Sequence, residues 1–480
     1  MSKEDTMRKE SFWHPLVQKW AAGAVAAASL FAWNVVGTHS YAQEPVAVAE
    51  ASEEEAPAEE EEEEKPDYLT VMGALEGTYL GSFLECNNTK IYGNVAQGIT
   101  FNMDSPSDRF NGPMTWMDRD KEWGLQQAWF GVAKTVNQDD CCWDWGYQVD
   151  AAYGTSYRWF IQQGFENQLN NGHSFYGLAV PSMNVKFGNQ DWLFTVGRFI
   201  SPVGYYTVDT TQNFFPILPF TYQYGELFTQ TGAMAAYKLN DRVTLTGGFD
   251  RGWDNWDGTN FGSPNLGVFG AVGIAGQCEG DSLTWFGHWS REANERTTPG
   301  GGPGVSNDFT GRYLQSLVYI KKLSEQTTWV LQSDFGHQER AKLNGASANW
   351  FGLNSYWYTK YNDCWTWGLN TEWFRDDSGF RVGTLLPAYP GSEARGLGGF
   401  NGNFRGGYNG DFFRVMVGPQ WSPRTNLVMR PGIAVDWFSG SIDSTKQRAF
   451  GNVNNAALRP YNDGTSNVQG VAFFDMFFRF

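Results

Sequence analysis

Long apolar runs, histidine, cysteine and basic clusters are all scarce in this 480-residue chain, and each shortage removes a class of protein. Outside Ala21–Gly37 no stretch approaches the roughly 20 mostly apolar residues that a helical membrane span requires. The five histidines, His14, His39, His173, His288 and His337, are scattered, with no HExxH pattern and no Ser or Cys nucleophile motif beside them. "GGGPG" at 300–304 lacks the Lys-Ser/Thr that would make it a phosphate cradle. The five cysteines show no Cys-x-x-Cys or Cys/His spacing of the kind that holds a metal. The sequence therefore offers no catalytic residue, no metal site and no cofactor site, and an enzyme is not expected. A net charge of −17 with no basic patch argues against nucleic acid as a partner.

What is abundant points elsewhere. Aromatic residues make up 16% of the chain, with 22 Trp and 56 Gly, yet the mean hydropathy is −0.44. Transmembrane barrels combine these properties, because lipid-facing apolar residues alternate with lumen-facing polar ones and aromatic girdles gather at both interfaces. Beyond Cys86 one phrase recurs: an alternating segment, a tight polar turn, a second alternating segment, then a longer Gly/Asn/Asp-rich loop. In "NLVMRPGIAVDWF" Leu427, Met429, Pro431, Ile433, Val435 and Trp437 form one apolar face, while Arg430, Gly432, Ala434 and Asp436 form the other. About sixteen such strands fit between 90 and 480, from one near 90–102 to one near 468–480. Seven short turns alternate with eight longer loops. The expected fold is an all-β, antiparallel transmembrane β-barrel of about 16 strands with short periplasmic turns and long external loops.

The N-terminus predicts export. Lys3, Arg8, Lys9 and Lys19 precede the apolar run, and Ser40 and Ala42 supply a small-residue cleavage site, so residues 1–42 are expected to be a signal peptide. Residues 43–67 follow as an acidic low-complexity spacer in the periplasm, with eleven Glu and one Asp against one Lys, a composition that cannot bury enough apolar surface to order itself. Residues 68–89 form an N-terminal periplasmic segment, and 90–480 the outer-membrane barrel.

Five phrases in one order carry a resemblance: "KIYGNVAQGITFNMDSPSDRFNGPMTWMDRDKEWGLQQAWF", "VDAAYGTSYRWF", "VGRFISPVGYY", "FTYQYGELFTQTGAMAAYKLNDRVTLTGGFDRGWDNW" and "WFGLNSYWYTKYNDCWTWGLNTEWFRDDSGFRV". From Cys86 to Phe480 the chain resembles the outer-membrane β-barrel porin family of the OmpL-like kind. That resemblance implies an outer-membrane porin passing small hydrophilic solutes by passive diffusion, with lipid around it and no catalytic residues. The layout is also similar to sixteen-stranded general porins, which implies a homotrimer and a third external loop inside the barrel. The alternative is a structural or adhesive envelope protein that uses the barrel as an anchor.

Residues 200–228 form that third loop, apolar and aromatic, with only Asp209 and Glu226 charged. Strand parity turns Lys186, Lys360, Arg414, Arg430 and Arg479 toward the lumen, with Asp144, Asp150, Asp250, Asp334, Glu372, Asp436 and Asp475. If the loop enters, Asp209 and Glu226 are expected to face some of these bases across the pore and set up a transverse field. "DRGWDNWDG" (250–258) reads as a girdle Trp pair with solvated acids, the alternative being a sugar-stacking or calcium site. Cys86 precedes the first strand and Cys141-Cys142 lie in the first turn, so a disulfide from Cys86 to Cys141 or Cys142 is geometrically open. The last strand, "VAFFDMFFRF", sets Ala472, Phe474, Met476, Phe478 and Phe480 on one face. Its terminal aromatic resembles the signal read by the barrel-assembly machinery, with Phe480, Phe478 and Met476 as the residues recognised.

Overall fold

The computed structural model describes residues 70–480 except 108, 110, 140, 161–164, 170–175, 257–265, 294–308, 343, 383–407, 443–458 and 463. The expected signal peptide 1–42 and spacer 43–67, His173 and the 300–304 glycines lie outside the described residues. Two short helices open the described chain, α1 (Val71–Leu75) and α2 (Tyr79–Cys86). Thr70 and Thr78 cap them, each hydroxyl accepting from a backbone N–H three residues on, Gly73 and Gly81, at 3.0 Å.

Sixteen strands follow. The first eight are β1 (Thr89–Asn102), β2 (Gly124–Lys134), β3 (Asp144–Gly154), β4 (Gly177–Gly188), β5 (Trp192–Ile200), β6 (Thr229–Asn240), β7 (Val243–Asp250) and β8 (Gly267–Ala275). The second eight are β9 (Ser282–Ala293), β10 (Phe309–Lys322), β11 (Thr327–Gln338), β12 (Ala348–Asn362), β13 (Trp365–Asp376), β14 (Tyr408–Arg424), β15 (Leu427–Ile442) and β16 (Val468–Arg479). Each pairs antiparallel with its neighbours, and β1 pairs with β16, so the sheet is a closed barrel without an edge. At the seam Gly93 and Phe480 exchange both backbone hydrogen bonds at 2.9 Å.

Burial along the strands is inverted relative to a water-soluble protein. Val149, Val185, Val196, Ile433 and Val435 are exposed, whereas Asp150, Arg414, Arg430, Asn354 and Asp376 are buried. A closed sheet that turns its apolar residues outward satisfies its backbone internally and offers a greasy band to lipid. Paired rings mark that band near the short-turn end: Trp192 with Tyr237 at 4.4 Å, Trp143 with Phe187 at 4.7 Å and Trp365 with Trp421 at 5.6 Å.

The short turns use asparagine. Asn189, Asn240 and Asn362 each accept two backbone N–H bonds from the residues that start the next strand, at 2.9–3.0 Å. The expected segregation of connection lengths has one exception, for the β2–β3 turn (135–143) is as long as the β11–β12 loop (339–347).

Candidate functional site: the loop between β5 and β6

The apolar run after β5 is buried almost throughout, and its contacts are with inward-facing residues of eight strands. Such a segment carries backbone carbonyls that must find donors once out of water. Three strand arginines supply them. Arg414 donates to Leu218 O at 2.6 Å, Arg430 to Thr210 O and Asn213 O at 2.8 and 2.7 Å, and Arg479 to Thr211 O at 2.6 Å. The first two are held from behind by carboxylates on the next strand: Asp436 meets Arg414 with two bonds of 2.6 and 2.7 Å, and Asp475 grips Arg430 the same way.

The loop's N–H groups are met by acids and amides. Glu372 accepts from Phe220 N and Thr221 N at 2.8 and 2.6 Å, at the start of a five-residue π-turn, Thr221–Gly225. Asn354 donates to the Thr221 hydroxyl at 2.7 Å, Trp350 to Gly225 O at 3.0 Å and Gln420 to Phe214 O at 2.8 Å. Asp209 accepts from Asn94 of β1 at 3.2 Å and from Gln127 of β2 at 2.6 Å.

Other loops pack over this one. Thr115 donates to Gln223, Tyr224 donates to Pro113 O, and Trp116 lies edge-on to Phe228 at 5.7 Å. Arg381 donates to Tyr224 O at 2.5 Å while lying over the Trp253 and Trp350 rings. Burial, with Arg312 beside it, pulls the Arg381 guanidinium down to about 9.

The two charged residues of the loop occupy settings the sequence did not indicate. Asp209 is held by amides, with the Arg479 guanidinium near enough to act on its charge. Glu226 accepts from Gln332 and is next to Asp334 of β11; burial first and the Asp334 charge second push its carboxyl well above the usual range. It also clamps the loop's own neck. Gly204 has φ +75°, and a Cβ there would fall 2.3 Å from Glu226 Oε2, so only glycine admits the carboxyl.

"DRGWDNWDG" needs correcting. Trp253 and Asp254 are buried among the loops, not placed in a girdle, and Asp254 accepts from Phe228 N and Thr229 N at 2.7 and 3.0 Å. Burial lifts its carboxyl to about 6 despite those bonds. Asp250 likewise is buried, bonded to His288 at 2.9 Å and to Gln230 at 2.6 Å. β7 ends at Asp250, and the residues beyond it turn in among the loops rather than continuing along the wall to a girdle.

The remaining expected residues are dispersed. Lys186 projects inward from β4 and donates to Gln148 at 3.0 Å. Lys360 sits by the β12–β13 turn, paired with Asp363 at 2.9 Å, and so belongs to the rim. Cys86 ends α2, Cys141 and Cys142 lie in the β2–β3 turn, Cys278 and Cys364 in later short turns, and all five are exposed. Cys86 and Cys141 stand here as thiols, so a pairing of Cys86 with Cys141 or Cys142 is a proposal for alkylation of the unreduced protein to decide. Met476, Phe478 and Phe480 share the outer face of β16, with the Phe478 and Phe480 rings stacked at 6.4 Å.

Sequence reasoning missed Asn94, Gln127, Gln332, Asn354 and Gln420, because parity was applied only to charged residues. The same parity would have found them. It also missed Met114–Met117 of the first loop, whose signal was an apolar cluster inside a polar loop.

A closed antiparallel barrel of sixteen strands, apolar outside and polar inside, with a long loop bound to its inner wall, is the architecture of outer-membrane channels. Residues 88–480 match the family model described as "Putative beta-barrel porin-2, OmpL-like", and the chain belongs to that family. Among solved structures it is similar to the outer membrane channel DcaP of Acinetobacter baumannii, with 11% identity, 82% of this chain and 97% of that one covered, and a TM-score of 0.50. It is also similar to Pseudomonas putida OprB, with 10% identity, 84% and 96% covered, and a TM-score of 0.50. These likenesses concern the fold. No curated protein matches the chain in sequence. Fold and family together support a porin-like barrel of the outer membrane.

Proposed function

We propose that the protein is an outer-membrane porin that passes small hydrophilic solutes by passive diffusion, through a lumen narrowed by residues 201–228. One observation carries the reading. The loop is bonded to inward-facing side chains of β1, β2, β11, β12, β13, β14, β15 and β16, a fixture too extensive for a segment that only covers the rim. A rigid restriction beside a water-filled remainder screens solutes by size and by the groups lining it.

Purified, folded barrel in a planar bilayer should give stable stepwise conductance. A folded barrel without any would overturn the reading and favour the anchor protein. Export by a cleaved signal peptide, insertion by the barrel-assembly machinery through Phe480 and assembly as a homotrimer belong to the same proposal. Removal of Phe480 should slow insertion more than it destabilises barrels already folded, and native mass measurement should give three copies.

A further inference from the structure

We propose that the passage carries a saccharide-binding track, a row of aromatic rings formed by Tyr205, Phe214 and Tyr358 and backed by the buried Tyr356, that takes neutral ring-shaped polyols. The inference rests on the channel reading above and names the solute class for it.

The row is built from both the loop and the wall. Tyr356 and Tyr358 are two residues apart on β12 and so share its inner face, with ring centroids 6.3 Å apart and planes at 22°. Tyr205 stands 5.1 Å from Tyr356 and 6.3 Å from Tyr358, and Phe214 stacks on Tyr358 at 4.6 Å and 28°. The seat of Phe214 is specific. Gly368 of β13 pairs with Tyr358, and a Cβ at Gly368 would fall 2.1 Å from the Phe214 ring, so any other residue would displace it.

Exposure separates these rings from the rest of the interior. Phe220, Tyr224, Phe374 and Phe412 are fully buried and serve as core. Tyr205, Phe214 and Tyr358 keep accessible surface inside the barrel, as do neighbouring Thr207 and Gln212. Leaving an aromatic face wet forgoes about 25 cal/mol for each Å² not buried, so a row of half-wet rings is an odd way to line a channel for ions alone.

Most of the charges that would serve ions are withdrawn from the passage, Lys186 excepted. Arg414 with Asp436, Arg430 with Asp475, and Glu372 are buried in the junctions between loop and wall. The inner wall of β6–β8 has half-exposed Met234, Ala236, Thr246, Ala271 and Gly273, all neutral. Pyranose rings have an apolar C–H face that lies on an aromatic face, and a hydroxyl rim that hydrogen-bonds to neutral groups such as a Tyr hydroxyl, Thr207 and Gln212. Several equivalent stacking positions in a row also meet the need to bind well enough to enter and weakly enough to leave.

The test uses the full-length barrel in planar bilayers with the neutral trisaccharide raffinose, and mannitol as a polyol without a ring. Raffinose should interrupt the current and mannitol should not. Phe214→Leu and Tyr205→Leu should each raise the half-blocking raffinose concentration about fivefold, the loss of one aromatic contact. Tyr358→Phe, which keeps the ring, should stay close to wild type; it also supplies a reading if a leucine variant fails to fold. A conducting channel that raffinose does not block, or blocks equally in the leucine variants, overturns the track and leaves the porin reading standing. A barrel that never conducts overturns both.

Discussion

The inner wall from β11 round to β2 and the inner wall of β6–β8 belong to one sheet, yet they are furnished in opposite ways. The first has Gln332, Asn354, Glu372, Arg414, Arg430, Arg479, Asn94 and Gln127, nearly all buried beneath the loop they hold. The second has Met234, Ala236, Thr246, Ala271 and Gly273, small or flexible groups that keep accessible surface. Long polar side chains in this barrel are therefore fasteners, and the wall without fasteners borders the passage. Charge inside a barrel is not by itself a selectivity device; what it touches decides.

Removing the loop breaks the contrast most completely. Excising residues 207–222 and bridging the ends with a short Gly/Ser linker should free the fastened wall, and single-channel conductance should rise by about twofold or more, since a barrel of sixteen strands is wide enough to hold an aqueous channel. An unchanged conductance would mean the loop does not limit flow. Next in size is a single fastener. Arg414→Met leaves Asp436 buried without its partner and Leu218 O without its donor, which should cost about 3–5 kcal/mol in reversible denaturant unfolding. Thr246→Ala on the bare wall should stay within about 0.5 kcal/mol. Equal losses would erase the distinction between the walls.

Acid–base behaviour sharpens the comparison at the loop's neck. Glu226 has its carboxyl raised by burial and by Asp334, so the folded protein favours its protonated form. The contribution to stability is complete below the ordinary carboxylate range and is lost as pH rises toward the elevated value. Asp254, lifted to about 6, acts in the same direction over a lower window. Denaturant unfolding followed from pH 4 to pH 9 should show stability falling as pH rises. Glu226→Gln should make that fall shallower, leaving the part due to Asp254, which is half complete at about pH 6. A wild-type protein equally stable at both ends would refute the assignment.

Much of this was legible in the sequence, for reasons particular to the barrel. Period-two alternation persists over most of the strands because lipid stands on one side and the loop-filled interior on the other, and it fades in β6 and β8. The expected sixteen strands are accordingly all present, the first and last within one residue of their expected bounds, and the apolar set of "NLVMRPGIAVDWF" is the outward face. The direction in which Arg414, Arg430 and Glu372 point was also legible. Their partners were not, since Leu218 and Phe220 lie well over a hundred residues away and no local pattern encodes the meeting. Trp253 shows the limit most clearly: once a strand ends, a tryptophan and an acid look the same whether they face lipid headgroups or a buried carbonyl.

The smallest expected effect bears on the transverse field. Asp209 is enclosed by Asn94, Gln127 and Thr211, and Glu226 is buried against Asp334 with its carboxyl raised toward the neutral form, so the two loop carboxyls are poorly placed to act on a passing ion. Lys186 is only half-buried, projects inward and donates to a neutral amide. Neutralising Lys186 as Lys186→Gln should therefore move the reversal potential in a salt gradient toward cation preference. Asp209→Asn should move it less, in the opposite sense, because its charge is screened by the amides that hold it. If Asp209→Asn gives the larger shift, the loop carboxylate faces the ions after all, and the fastened wall, not the bare one, sets selectivity.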